Sequence, residues 1–184
     1  AYVALIEKWN PKINLVSKSS LPEIWDRHIW DSAQIFDISV EGTVWADFGS
    51  GGGLPGIVLA IFAKECRPDM QFCLVESDQR KCAFLRNAVR EIGLNVKVHA
   101  ERIEVLEPIG ASVISARALT DLNGLLGFVE RHSAKNGVAI LPKGETWEKE
   151  VLQAQENWSF KYEEITSKTN NNAAILKIKE LARV

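Results

Sequence analysis

One glycine-rich turn decides most of what this chain can become. Val44-Trp45-Ala46-Asp47-Phe48 is a short apolar run of the kind that forms a buried strand. It passes directly into Gly49-Ser50-Gly51-Gly52-Gly53-Leu54-Pro55-Gly56 and then into an apolar stretch of helical length. Strand, glycine turn and helix in that order form the setting in which parallel α/β sheets bind nucleotides. Glycines accept positive φ and let a ligand approach the backbone with no Cβ in the way, and Pro55 at the helix start lacks only an N–H that has no partner there.

The rhythm on either side fits such a sheet. Short apolar runs predict strands over residues 43–48, 71–76, 96–99, 112–115 and 137–141, and amphipathic stretches predict helices over 55–65, 80–92, 121–131 and 146–158. Gly93 and Gly137 stand where helix ends are expected. Two further strands, 160–165 and 173–178, flank Lys168-Thr169-Asn170-Asn171-Asn172 and read as an antiparallel hairpin closing the sheet. Ahead of the first strand, Val3, Leu5, Ile6, Trp9 and Ile13 recur at helical spacing from the first residues, which points to more helix upstream. Ser20-Leu21-Pro22-Glu23 reads as a capped start for one more helix carrying Ile24, Trp25, His28, Ile29, Ile35 and Phe36, closed by Glu41-Gly42. The expectation is an α/β fold with a mostly parallel seven-stranded sheet, helices on both faces, a C-terminal antiparallel hairpin and an N-terminal helical extension. Residues 1–40 would be that extension, packed on a domain formed by 41–184.

Composition narrows the function classes. A chain of 184 residues with 46% hydrophobic residues fits one domain with a sizeable core. No apolar run is long enough to span a membrane and no signal peptide is seen, so a cytoplasmic protein with no membrane partner is expected. Cys66, Cys73 and Cys82 form no CxxC pair and read as buried reduced thiols, and His99 and His132 show no metal-ligand spacing, so no metal site is expected. The net charge of −2 argues against a broadly basic nucleic-acid binder. It leaves room for a local patch in Arg80, Lys81, Arg86, Arg90, Lys97 and Arg102, which also reads as an ordinary solvated face.

Two cofactor readings meet at the glycine turn. Residues 51–56 satisfy the GxGxxG dinucleotide fingerprint, while Asp47-x-Gly49-x-Gly51-x-Gly53 resembles the first motif of Rossmann-like methyltransferases. Glu76, ending the second strand, suits the ribose hydroxyls of either cofactor. Three points favour a methyl donor: Asp47 stands where the methyltransferase resemblance expects an acid near the methionine moiety; the chain lacks a hydride-transfer enzyme's second domain; and it lacks Tyr-x-x-x-Lys, since Ile6 follows Tyr2 and Thr166 follows Tyr162 at that spacing. Methyl transfer from a sulfonium is an in-line displacement that depends chiefly on alignment and exclusion of water. The fourth strand ends in Ser115-Ala116-Arg117-Ala118, with no Asp/Asn-Pro-Pro-aromatic motif and no cysteine after a proline. Arg117 there suits a phosphate, a cofactor carboxylate or a purine edge. Lys143, ending the fifth strand, is a candidate for RNA phosphate or a guanine. Arg27, His28 and Asp31 fall on one helical face, as a plain ion pair with a histidine or as a site beside the cofactor.

Several boxes together resemble one family. Trp9-Asn10 with Ile13-Asn14-Leu15, Arg27-His28 with Asp31-Ser32, residues 47–56, Glu76-Ser77, Lys81 with Phe84-Leu85, Arg102 with Glu104, Ser115-Ala116-Arg117-Ala118 and Lys143-Gly144 are similar to the ribosomal RNA small subunit methyltransferase G family, also called glucose-inhibited division protein B. The resemblance implies a Rossmann-like class I methyltransferase acting with S-adenosylmethionine on N7 of guanine 527, in the 530 loop of 16S rRNA. Free rRNA or the small ribosomal subunit would be the partner and a monomer the expected state. It implies cofactor contacts at Gly49, Leu54, Ile103, Glu104 and Arg117, with Glu76 at the ribose, beside the turn residues Asp47, Gly51 and Gly53. Arg117 and Lys143 would position the acceptor. An NAD-type oxidoreductase and a non-catalytic ribosome-assembly binder remain the alternatives.

Overall fold

A computed structural model describes residues 1–36, 38 and 41–184. The chain is built around a seven-stranded sheet in the order β3-β2-β1-β4-β5-β7-β6, formed by β1 (Val44–Phe48), β2 (Gln71–Val75), β3 (Val96–His99), β4 (Ala111–Ala116), β5 (Ser133–Lys143), β6 (Trp158–Thr166) and β7 (Ala174–Arg183). The first five strands pair in parallel, and β7 runs antiparallel to both β5 and β6. Parallel strands are covered on both faces and therefore read as continuous apolar runs. Alternate residues of β1 accordingly enter two different cores. Trp45 joins Phe72, Leu74, Val113 and Ile140 on one face, while Ala46 and Phe48 join Val75, Ile114 and Ala116 on the other.

The first core is closed by α1 (Tyr2–Ile13), α3 (Gly56–Cys66) and α4 (Gln79–Ile92), and the second by α5 (Leu122–His132) and α6 (Trp147–Ala154). The ends of α4 follow from local chemistry. The Asp78 carboxylate accepts from the N–H groups of Arg80 and Lys81, and Gly93 closes the helix in the left-handed region at φ 69°. α1 docks on α4 through Trp9, whose ring meets Phe84 edge-on at 5.8 Å, and it sinks Tyr2 and Ile6 into the first core. Because the strand order reverses between β1 and β4, their carboxyl ends diverge and leave the crevice in which this architecture binds ligands.

The structure departs from the sequence expectations in four places. The helix expected after Ser20 is a 3-10 turn at Leu21–Glu23, a π-helical stretch at Trp25–Trp30 and a short α2 (Asp31–Ala33). Ser20 makes no capping bond; its hydroxyl donates to the Ser17 carbonyl instead. β5 begins at Ser133 directly after α5, so Gly137 lies inside a strand rather than at a helix end. A Cβ at Gly137 would meet the Ala111 carbonyl oxygen at 2.9 Å. α6 stops at Ala154, and Trp158 opens β6 with its indole donating to Asn123 Oδ1 at 2.9 Å. Cys73 and Cys82 are buried, but Cys66 is exposed. The expected boundary at residue 40 falls outside the described residues.

Candidate active site

The loop leaving β1 is held from three sides. Below it, the Ser50 hydroxyl donates to the Asp47 carbonyl at 2.8 Å and the Ser50 N–H donates to the Val75 carbonyl at 3.2 Å. Beside it, one oxygen of the buried Glu76 carboxylate accepts the Gly51 N–H at 2.9 Å and the other accepts the Asp78 N–H at 2.8 Å. Above it, the buried Tyr2 hydroxyl donates to the Gly52 carbonyl, and burial pushes that phenol's pKa well above its ordinary value. Gly53 has φ 86°, and a Cβ there would stand 2.4 Å from Ile57 Cγ1. Only glycine fits both the left-handed backbone and the contact.

Asp47 lies beneath this loop with no exposed surface. Its Oδ1 accepts the Ser115 hydroxyl at 2.7 Å, its Oδ2 accepts the Gly56 N–H at 3.3 Å, and the Ser115 oxygen accepts the Trp45 indole N–H at 3.0 Å. The indole has only a proton to give, so it fixes the Ser115 hydroxyl as donor toward Asp47. Burial pushes the Asp47 carboxyl up to about 6, against the pull of these bonds and of the Arg117 charge.

Two cavities open at the carboxyl edge of the sheet. One, of about 480 Å³, is walled by Gly49, Glu76, Ile103, Glu104 and Leu119, with Lys81 and Arg102 also lining it. Leu119 reaches over the loop, since a Cβ on Gly49 would come within 2.7 Å of its Cδ1. The buried His132 accounts for the position of Ile103: its Nε2 donates to the Ile103 carbonyl at 2.9 Å. The second cavity is a cleft of about 860 Å³ lined by Arg27, Trp30, Asp31, Arg117, Lys143 and the turn between β6 and β7. Ala118 and Thr120 line both cavities. Ala118 takes the left-handed conformation at φ 52°, so the chain bends at the point where the two meet.

Arg117 is the centre of the second cleft. Its Nη1 meets Asp31 Oδ2 at 3.0 Å and its Nη2 meets His28 Nδ1 at 3.3 Å. A guanidinium can only donate, so His28 is neutral with its proton on Nε2, which faces the Ser20 hydroxyl at 2.7 Å. Burial, followed by the Arg117 charge, holds the His28 pKa below its ordinary value. The other oxygen of Asp31 accepts from Gln34 Nε2 at 3.0 Å and from the Thr169 hydroxyl at 2.7 Å. Gln34 also donates to the Ser167 hydroxyl at 3.2 Å and accepts the Lys168 N–H at 2.8 Å. The turn of the C-terminal hairpin is therefore tied to the arginine through Asp31.

A family model described as rRNA small subunit methyltransferase G matches residues 1–178. The chain belongs to this family. It is 57% identical to the ribosomal RNA small subunit methyltransferase G of Ruegeria sp. over 180 residues, covering 98% of this chain and 88% of the relative. It is 54% identical to the protein of the same name from Ruegeria pomeroyi, covering 100% of this chain and 90% of the relative. Among solved structures, a SAM-dependent methyltransferase from Aquifex aeolicus superposes with a TM-score of 0.62 at 13% identity, covering 86% of this chain and 92% of that one. At that identity the likeness concerns the fold.

Within this methyltransferase G frame, Gly49, Glu76, Ile103 and Glu104 share the smaller cavity, and Arg117 and Lys143 share the larger cleft. Asp47 lies under the loop, and Leu54 is buried. Of the trio at 27, 28 and 31, His28 and Asp31 converge on Arg117, while Arg27 lines the cleft and pairs with Glu23 at 3.5 Å. Lys143 is committed: its side chain is 8% exposed, and its Nζ lies 2.5 Å from Glu150 Oε2. Within the basic stretch, Arg80 faces Asp78 at 3.3 Å and Arg90 faces Glu91 at 3.7 Å, while Lys81 and Arg102 share the smaller cavity. Tyr2, Gln34, Leu119 and Thr169 were not singled out from sequence as site residues, and Ser115 was quoted only within its box, with no role. Tyr2 and Gln34 act on partners 50 and more than 130 residues away, and no local pattern marks such pairs. Among the described residues, no group of three or more His, Cys, Asp or Glu side chains is placed to hold a metal ion.

Proposed function

We propose that this chain transfers the methyl group of S-adenosylmethionine to N7 of guanine 527, in the 530 loop of 16S rRNA, acting as a cytoplasmic monomer on the small ribosomal subunit or its RNA. The observation that carries this reading is the pairing of two adjoining cavities at the strand-order reversal. One is built around a glycine loop clamped to Glu76, and the other holds an arginine. The first suits the cofactor: glycine backbone leaves room against the loop, Glu76 keeps free lone pairs for ribose hydroxyls, and Ile103 offers an apolar wall for an adenine ring. Gly49, Leu54, Glu76, Ile103 and Glu104 would hold the adenosine, with Gly51 and Gly53 shaping the loop. Arg117 would meet the cofactor's carboxylate end, and the Asp47 charge would act from beneath. Bound there, S-adenosylmethionine supplies an electrophilic methyl group on a sulfonium.

The protein's own task is then alignment. Guanine N7 carries a free lone pair and no proton, so the acceptor needs no general base. In the cleft, Asp31 is paired with Arg117 and Glu150 with Lys143, and Asp26 also lines it. Lys143, packed on Glu150, would serve as a wall of the acceptor cleft rather than as a phosphate ligand. Membership of the methyltransferase G family disfavours both the oxidoreductase and the non-catalytic alternatives. The test is incubation of small subunits from a strain lacking this activity with tritiated S-adenosylmethionine, followed by mass mapping of the modified nucleosides. A single N7-methylguanosine is expected, with label severely reduced for Arg117→Ala. Absence of label, or label on another atom, overturns the reading.

A further inference from the structure

We propose that the indole of Trp30 is the surface on which the acceptor guanine stacks; this deepens the guanine-methylating reading and rests on it. The N7 lone pair lies in the plane of the purine and must point at the methyl carbon for in-line displacement. A hydrogen-bond donor placed at N7 would occupy the electrons the reaction needs. A site for this atom has to grip the ring by its faces and leave that edge free. Among the described residues lining the 860 Å³ cleft, Trp30 is the only aromatic. It is 56% exposed, so the fold does not use it as core.

Its setting matches the task. Trp30 directly precedes Asp31, the carboxylate 3.0 Å from Arg117, so the segment that carries the indole is itself paired with the arginine at the end of β4. The cleft adjoins the cofactor cavity through their shared Ala118 and Thr120, which is where a methyl acceptor must lie. Three of the cations lining it already face carboxylates: Arg27 at 3.5 Å, Arg117 at 3.0 Å and Lys143 at 2.5 Å. A floor neutralised in this way suits an uncharged base better than a phosphate. Stacking on an aromatic face is the usual grip on an unpaired base.

Trp25 provides an internal control, being 64% exposed on the same π-helical stretch yet not lining the cleft. The experiment measures steady-state methyl transfer to unmodified small subunits, with calorimetric S-adenosylhomocysteine binding, for wild type, Trp30→Ala, Trp30→Phe and Trp25→Ala. Trp30→Ala is expected to lower kcat/KM for the subunits about ten-fold or more while S-adenosylhomocysteine binding is unchanged, Trp30→Phe to recover most of the loss, and Trp25→Ala to match wild type. Retention of wild-type activity by Trp30→Ala overturns the stacking role and leaves the guanine reading intact. Equal losses in Trp25→Ala and Trp30→Ala overturn it in favour of a protein- or RNA-docking surface. A wild-type enzyme that methylates no subunit overturns the guanine reading and the stacking role with it.

Discussion

A carboxyl group with no water around it reports pH through the fold, and Asp47 is such a group. Its pKa rises from 3.8 unfolded to about 6 in the native chain, so between those values the native state holds a proton that the unfolded state has released. Stability contributed by this group therefore falls as pH rises across the window from about 4 to 6. Urea titrations of wild type and Asp47→Asn from pH 4 to 7 are expected to show that decline in wild type relative to the variant, and a constant difference would refute the assignment. Gly53 is the second residue whose identity is forced. Gly53→Ala places a Cβ 2.4 Å from Ile57 Cγ1 on a backbone at φ 86°, and is expected to cost roughly 2–5 kcal/mol in urea unfolding while weakening cofactor binding. Both residues were legible in the sequence because motif spacing marks them. Ser115 was legible only as part of the Ser115-Ala116-Arg117-Ala118 box; that its hydroxyl orients Asp47 from another strand is a contact no sequence spacing marks.

At the scale of elements, the central strands and the helices around them could be read from the chain because each is an uninterrupted apolar or amphipathic run. The errors fall where tertiary contacts outweigh local propensity. Trp-Asp-Arg-His-Ile-Trp has the composition of an α-helix, yet it winds as a π-helix with His28 and Asp31 both meeting Arg117. The start of β5 was hidden because α5 runs into it with no linker and its first residues, Ser133-Ala134-Lys135-Asn136-Gly137, have the composition of a loop. The tie between that helical segment and the C-terminal hairpin is testable at Gln34. Gln34→Leu removes bonds to Asp31, Ser167 and the Lys168 backbone, and should cost about 1–3 kcal/mol. Methyl transfer should fall further than stability explains, because Arg117 loses part of its support. Activity equal to wild type at a temperature where both proteins are folded would show that the tie has no catalytic role.

Across the whole molecule, the N-terminal segment and the sheet share one core, since Tyr2, Ile6, Val16, Ile24 and Ile35 lie in the same cluster as Trp45, Phe72 and Leu74. We propose that they unfold together. Ile6→Ala, a truncation at a fully buried position, should destabilise by about 2–5 kcal/mol and shift the entire calorimetric transition. A separate early transition, leaving the main one unmoved, would mean that residues 1–40 are an appendage. The contacts of Gln34 with residues 167–169 also order events in time. Residue 34 precedes β1 and residues 167–169 join β6 to β7, so the support that reaches Arg117 through Asp31 is complete only when the hairpin turn has met the N-terminal segment, late in the assembly of the sheet.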